Sequence, residues 1–131
     1  MADYQVPVDL KYTKSDEWVR IEGDEAVIGI TDYAQNALND ITYVEVGVVG
    51  ETLKADEVFG SVESVKAASD LHAPISGTVI AVNDALEDNP ETVNKDPYGT
   101  AWLIKVKPSN RSELDVLLTS EAYQTYCAGR D

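Results

Sequence analysis

The chain has 131 residues, with 10 Lys and Arg against 24 Asp and Glu, giving a net charge of −14 at pH 7. That length supports one domain with its own core, and a 44 % hydrophobic share places it among folding chains. The charge excludes a nucleic-acid-binding face and disfavours an anionic membrane surface, because both need clustered Lys and Arg. A single Cys and a single His exclude a disulfide framework and a Cys/His zinc site.

No apolar run approaches the length of a membrane span. Met1–Gln5 has neither signal-peptide nor transit-peptide character, so a complete cytoplasmic product is expected, or a mature mitochondrial matrix form given a new Met. Residues 1–10, with Pro7, read as a loose lead-in. Trp18–Ile21 and Glu25–Ile30 read as strands joined by a tight turn at Gly23-Asp24. Thr31 or Asp32 caps a short helix through Leu38, and Asp32 with Gln35 has the form of a capping box. Ile41–Val49 reads as a strand, with a bulge and a turn marked by Gly47 and Gly50.

Glu57–Phe59 is extended, and Thr78–Val82 is a strand after the Ser76-Gly77 turn. Asp84–Gly99 is acidic and irregular, with one helical turn expected at Asn89-Pro90-Glu91. Trp102–Val106 is a last strand ended by Pro108. Residues 110–128 form a C-terminal helical segment. Asn110 and Glu113 pair at its start, Leu114, Leu117 and Leu118 lie at helical spacing, and Thr119 or Ser120 begins it afresh. Many short strands in close succession predict a mainly β, antiparallel sandwich or barrel in one domain over 1–131. Cys127 reads as a packed helix-face residue, and His72 as a surface or satisfied histidine.

Residues 60–77, GSVESVKAASDLHAPISG, are locally ambiguous. Val62, Val65 and Ser69 lie at helical spacing and Ala67-Ala68 favour helix, while Ser69-Asp70 and Pro74 favour turns. Taken alone, Lys66 is an ordinary solvated lysine. The ordered set changes that. Gly60–Asp70 followed by Ala73–Gly77 closely resembles the lipoyl-attachment motif of the glycine cleavage H-protein family. Lys11–Lys14, Glu17–Val19 and Gly29–Gln35 resemble its N-terminal signatures, and Leu86–Pro90, Asp96–Gly99 and Trp102–Lys105 its C-terminal ones.

The resemblance implies a barrel–sandwich hybrid of the lipoyl/biotinyl type, with short helices and a helical C-terminus. It moves Lys66 from a helix to the tip of a hairpin, carrying lipoic acid in amide linkage. It implies a carrier rather than an enzyme. The aminomethyl group of glycine passes from a pyridoxal-phosphate glycine decarboxylase (P protein) to a folate-dependent aminomethyltransferase (T protein), and dihydrolipoyl is then presented to dihydrolipoyl dehydrogenase (L protein). A lipoate ligase or lipoyl transferase would install the group, and a carrier visiting three enzymes is expected to be a monomer. With one Cys the chain supplies no dithiol of its own, so the cofactor must supply it. The resemblance also implies a cleft where the loaded arm docks, with Glu17, Ser15 and Asp70 at the matching positions. One departure is visible: Asp16 stands where the family commonly has His, which adds negative charge beside that cleft.

Rival readings fare worse. Biotin carriers flank the lysine with Met, and here Val65 and Ala67 do so. Lipoyl domains of 2-oxo-acid dehydrogenases have Asp-Lys-Ala and belong to longer chains. Relay of lipoyl groups to other enzymes stays compatible with the motifs. An unmodified acidic interaction module would leave Lys66 free, and a hydrolase would need a marked carboxylate pair that the acidic segment does not offer.

Overall fold

The computed structural model describes residues 4–130. Its strands are β1 (Lys11–Tyr12), β2 (Glu17–Glu22), β3 (Glu25–Ile30), β4 (Ile41–Glu45), β5 (Thr52–Leu53), β6 (Val58–Ser64), β7 (Ala68–His72), β8 (Gly77–Val82) and β9 (Ile104–Pro108). Helix α1 spans Asp32–Leu38, α2 Ala85–Asp88, α3 Thr92–Lys95 and α4 Ser120–Ala128, with a 3-10 helix at Arg111–Val116. One antiparallel sheet has the order β1-β2-β3-β9-β8-β5 and the other β4-β6-β7. This is the barrel–sandwich hybrid that the resemblance implies.

The β2–β3 hairpin turns at Gly23, whose φ of +63° suits a residue without a side chain. Alternation along these strands sends Val19, Ala26, Ile28 and Ile30 into the core between the sheets, where they meet Val44, Val62, Leu71, Ile75, Val79 and Ile104. The opposite face is also covered. Tyr12, Trp18, Val27, Tyr123 and Cys127 form a second buried cluster beneath α4. Gly29, paired with Trp18, has no Cβ to displace the indole, and the indole N–H donates to the Pro97 carbonyl at 3.0 Å. Cys127 is packed, as its helical position predicts.

Residues 62–69 form the hairpin that the resemblance implies, not the helix that their local spacing favours; other expectations are corrected. Strands β6 and β7 run antiparallel through them, because pairing with β4 and burial of Val62 and Leu71 outweigh local propensity. The strand expected over Ile41–Val49 ends at Glu45, before Gly47 takes φ +88°. The last strand begins at Ile104 rather than Trp102, and Pro108 is its final residue rather than a stop beyond it. Two short helices flank the expected turn at 89–91.

The C-terminal segment is not one helix over 110–128. The 3-10 turn breaks at Leu117, and Leu118 bridges Tyr12 as a strand residue, its N–H donating to Tyr12 O at 2.8 Å. Thr119 then caps α4 by accepting from Ala122 N. At α1 the cap is Thr31, accepting from Ala34 N, so Asp32 does not cap. Its carboxylate takes Gln35 Nε2 and Gln5 N instead. The expected looseness of the lead-in concerns residues 1–3, outside the described ones, and residues 4–10, which are tied down. The carbonyls of Gln5, Val6 and Pro7 accept from Tyr98, Ser120 and Tyr12, and Leu10 is buried.

Candidate functional site

The β6–β7 hairpin closes at Val65-Lys66-Ala67, and Ser64 is its staple. The Ser64 hydroxyl accepts from the Lys66 and Ala67 amides at 3.1 and 3.0 Å, and Ser64 N donates to Ala67 O at 2.8 Å. This local pattern is an ST turn, the chemistry that Ser offers a tight loop. The tip is moored to the connection after α1, since Val65 N donates to Asp40 O at 3.0 Å. Lys66 and the two alanines that follow are exposed. The Lys66 ammonium reaches the C-terminal turn of α1 and donates to Ala37 O at 3.3 Å, where the helix dipole favours a cation.

A cleft of about 130 Å³ includes this same turn of α1 in its wall. Ala34, Ala37 and Leu38 of α1, with Ile30 and Val62, give it an apolar side; Ser15, Asp16, Glu17, Ser69 and Asp70 give it a polar side. The three candidate cleft residues, Ser15, Glu17 and Asp70, are therefore brought together, at one opening shared with the Lys66 root. Thr13, Ala37, Leu38 and Asp40 complete the arrangement without having been singled out for it. Apolar helix residues carry no chemical mark in a sequence, and a backbone carbonyl carries none at all.

Glu17 is wholly buried. Its Oε1 accepts from Thr13 Oγ1 at 2.7 Å and from the Ser15 hydroxyl, and its Oε2 accepts from His72 N at 3.0 Å. Burial pushes its pKa upward, opposed by these three hydrogen bonds and by the nearby His72. Oε2 takes one hydrogen bond and keeps a lone pair. His72 is partly exposed, as the surface alternative allows, but it is not fully satisfied. Its Nδ1 is buried without a partner among the described residues, 3.9 Å from Glu17 Oε2. Ser15 and Asp70 stay exposed at the rim.

The extra charge expected from Asp16 is compensated. Its Oδ1 accepts from Arg130 Nη1 at 2.6 Å and from the Tyr123 hydroxyl at 2.8 Å, and its Oδ2 accepts from Arg130 Nη2 at 3.0 Å. Asp16 holds φ +74°, a left-handed conformation that Asp tolerates better than most residues.

An exposed lysine root, an adjoining apolar wall and a buried carboxylate suit a long acyl arm with a polar end. The cleft is amphipathic, and Lys66 gives up only one weak contact on acylation. The described residues contain no cluster of three or more His, Cys, Asp or Glu placed to hold a metal ion, and no helix is long and apolar enough to cross a membrane.

Comparison with known proteins agrees with this geometry. The family model described as "Glycine cleavage H-protein" matches residues 10–129. The glycine cleavage system H protein of Bacteroides fragilis is 57 % identical over 118 residues, covering 90 % of this chain and 94 % of that one. That of Geobacillus kaustophilus is 59 % identical over 118 residues, covering 90 % and 93 %. A crystal structure of a glycine cleavage system H protein from Mycobacterium marinum superposes with a TM-score of 0.83 at 40 % identity, covering 95 % of this chain and 98 % of that one. The chain belongs to the glycine cleavage H-protein family, and is thus a carrier subunit of the glycine cleavage system rather than an enzyme.

Proposed function

We propose that Lys66 carries lipoic acid in amide linkage, and that the chain shuttles the aminomethyl group of glycine from the decarboxylase to the folate-dependent aminomethyltransferase before dihydrolipoyl dehydrogenase resets it. The observation that carries this reading is the placement of Lys66. Its side chain is exposed at a stapled hairpin tip, and its Nζ lies against the same helix turn that walls a cleft floored by a buried carboxylate. When bound, the lipoyl group supplies the sulfur that accepts the one-carbon amine and the disulfide–dithiol couple that is later reoxidised.

The chain's own residues do the rest. The Ser64 staple and the Asp40 tether present Lys66 to a lipoate ligase or lipoyl transferase in a fixed direction, with Ala67 and Ala68 too small to block approach. Ala34, Ala37 and Leu38 cover the aliphatic part of the arm and keep water from it. Glu17 and Asp70 hold the cationic end of the cargo, Asp70 from the exposed rim and Glu17 through the open lone pair of Oε2, where burial strengthens a charge-assisted contact. Ser15 fixes the Glu17 carboxylate by donating to Oε1. The covalent tether maintains a high local concentration of cargo at each docked enzyme. The chain acts as a monomer in the cytoplasm, a placement favoured by the bacterial source of the relatives.

The test is intact and peptide mass spectrometry of the chain from cells with lipoate and an active ligase, followed by reconstitution with the three enzymes. One lipoyl group on Lys66 is expected, and Lys66→Arg should fold normally and support no glycine decarboxylation. An unmodified Lys66, or activity retained by Lys66→Arg, would sink the assignment.

A further inference from the structure

We infer that Tyr123 and Arg130, on and just beyond the C-terminal helix α4, latch the two walls of the cleft together and act as positioning residues for the docked arm; this rests on the carrier reading above. Two walls of the cleft are the segment Ser15–Glu17 and helix α1, which adjoin where Glu17 pairs with Ile30 at the end of the β2–β3 ladder. Direct ties between them include Thr31 N donating to Asp16 O at 3.0 Å. Side-chain ties from the C-terminus add to this backbone pairing. The Tyr123 hydroxyl bonds both Asp16 Oδ1, at 2.8 Å, and Thr31 Oγ1, at 2.7 Å, and Thr31 is the residue that caps α1. Arg130 repeats the bridge. Its two terminal nitrogens grip both Asp16 oxygens, while its guanidinium lies over the ring of Tyr33 on α1, 4.5 Å from the centroid, and over Tyr126 on α4 at 4.9 Å.

This forked pair is geometrically restrictive in a way a lone ammonium is not. The Tyr123 ring is held independently, stacked on Tyr12 at 4.8 Å, so its hydroxyl is a fixed post rather than a swinging one. The hairpin tip bearing Lys66 is moored at the C-terminal end of α1, to Ala37 O and Asp40 O, whereas the latch grips the N-terminal end of that helix at Thr31 and Tyr33, and none of the tip's bonds is to α4. Presentation of Lys66 for acylation and the hold on the docked arm are therefore set by different anchors, and substitution of the latch should separate them.

The experiment compares wild type, Tyr123→Phe, Arg130→Gln, Arg130→Lys and a core truncation remote from the cleft, Val79→Ala. Each is assayed for lipoylation of Lys66, for amide exchange at Thr31 and His72 in the unlipoylated chain, and for lifetime of the methylamine-loaded form. Tyr123→Phe and Arg130→Gln should be lipoylated at the wild-type rate, exchange faster at both amides, and lose the loaded form about fivefold faster or more, with Arg130→Lys between. An unchanged lifetime in Tyr123→Phe and Arg130→Gln overturns the inference, as does an equal shortening in Val79→Ala, which would reduce the effect to general stability. A wild-type Lys66 that stays unmodified overturns the carrier reading and the inference with it, and mass spectrometry reveals that before any variant is compared.

Discussion

Glu17 is a carboxylate with every reason to be costly. It has no exposed surface, and burial raises its pKa above the ordinary 4.5 despite three donated hydrogen bonds. A carboxylic acid whose folded pKa is raised binds its proton more tightly folded than unfolded, so its effect on stability falls as pH climbs through the window above 4.5. Glu17→Gln keeps the shape and removes the charge. The melting temperature of the variant should therefore gain on the wild type as pH rises from about 4.5 towards neutrality; a difference independent of pH would mean that Glu17 is not strained by its charge. That the fold keeps an ionisable group at this cost fits a group held for its charge. The family motif marks Glu17, Ser15 and Asp70 in the sequence, and the fold brings all three to one cleft. Arg130 is not marked, because nothing in a local stretch announces that residue 130 will meet residue 16 across 114 positions.

At the level of elements, residues 62–69 show local propensity overridden by the context that the attachment motif marks. Their local spacing favours a helix, yet they form two strands and the tip between them, because Val62 and Leu71 complete a core that a helix would leave open. The attachment motif points to the hairpin, and Gly60 within it has a physical reason. A Cβ at that position would sit on the Glu45 carbonyl oxygen of the neighbouring strand, so β4 and β6 approach each other only because residue 60 has none. Gly60→Ala should force the strands apart and cost about 1–3 kcal/mol in chemical denaturation, as overpacking does. Lipoylation should slow with it, since the displaced strand ends at the Lys66 turn. A wild-type midpoint would show that the sheet yields freely there. The C-terminal segment departs from expectation. Its period was right, but backbone pairing of Leu118 with Tyr12 interrupts the helix, and side-chain spacing is silent about which backbone will find a partner.

Over the whole molecule, the net charge of −14 sits on a chain that, on the function proposed above, meets several enzymes in turn. Such a field speeds encounters with basic surfaces and does little to deepen affinity once bound. Raising ionic strength from 0.01 to 0.15 M shortens the screening length from about 30 to about 8 Å. The apparent KM of each partner enzyme for the carrier should rise severalfold over that range while kcat changes little. Rates indifferent to salt would remove steering from the account.

The six-stranded sheet is bounded by its two shortest members, β1 and β5, each of two residues. An open edge is a template on which another chain can lay a strand, and the risk grows with the length of edge on offer. At these margins a second copy gains almost no backbone pairing before it runs into loop. Self-association through the margins of this sheet is thereby limited by where its strands stop, which leaves the five-residue edges β4 and β7 of the smaller sheet as the longer templates on the molecule.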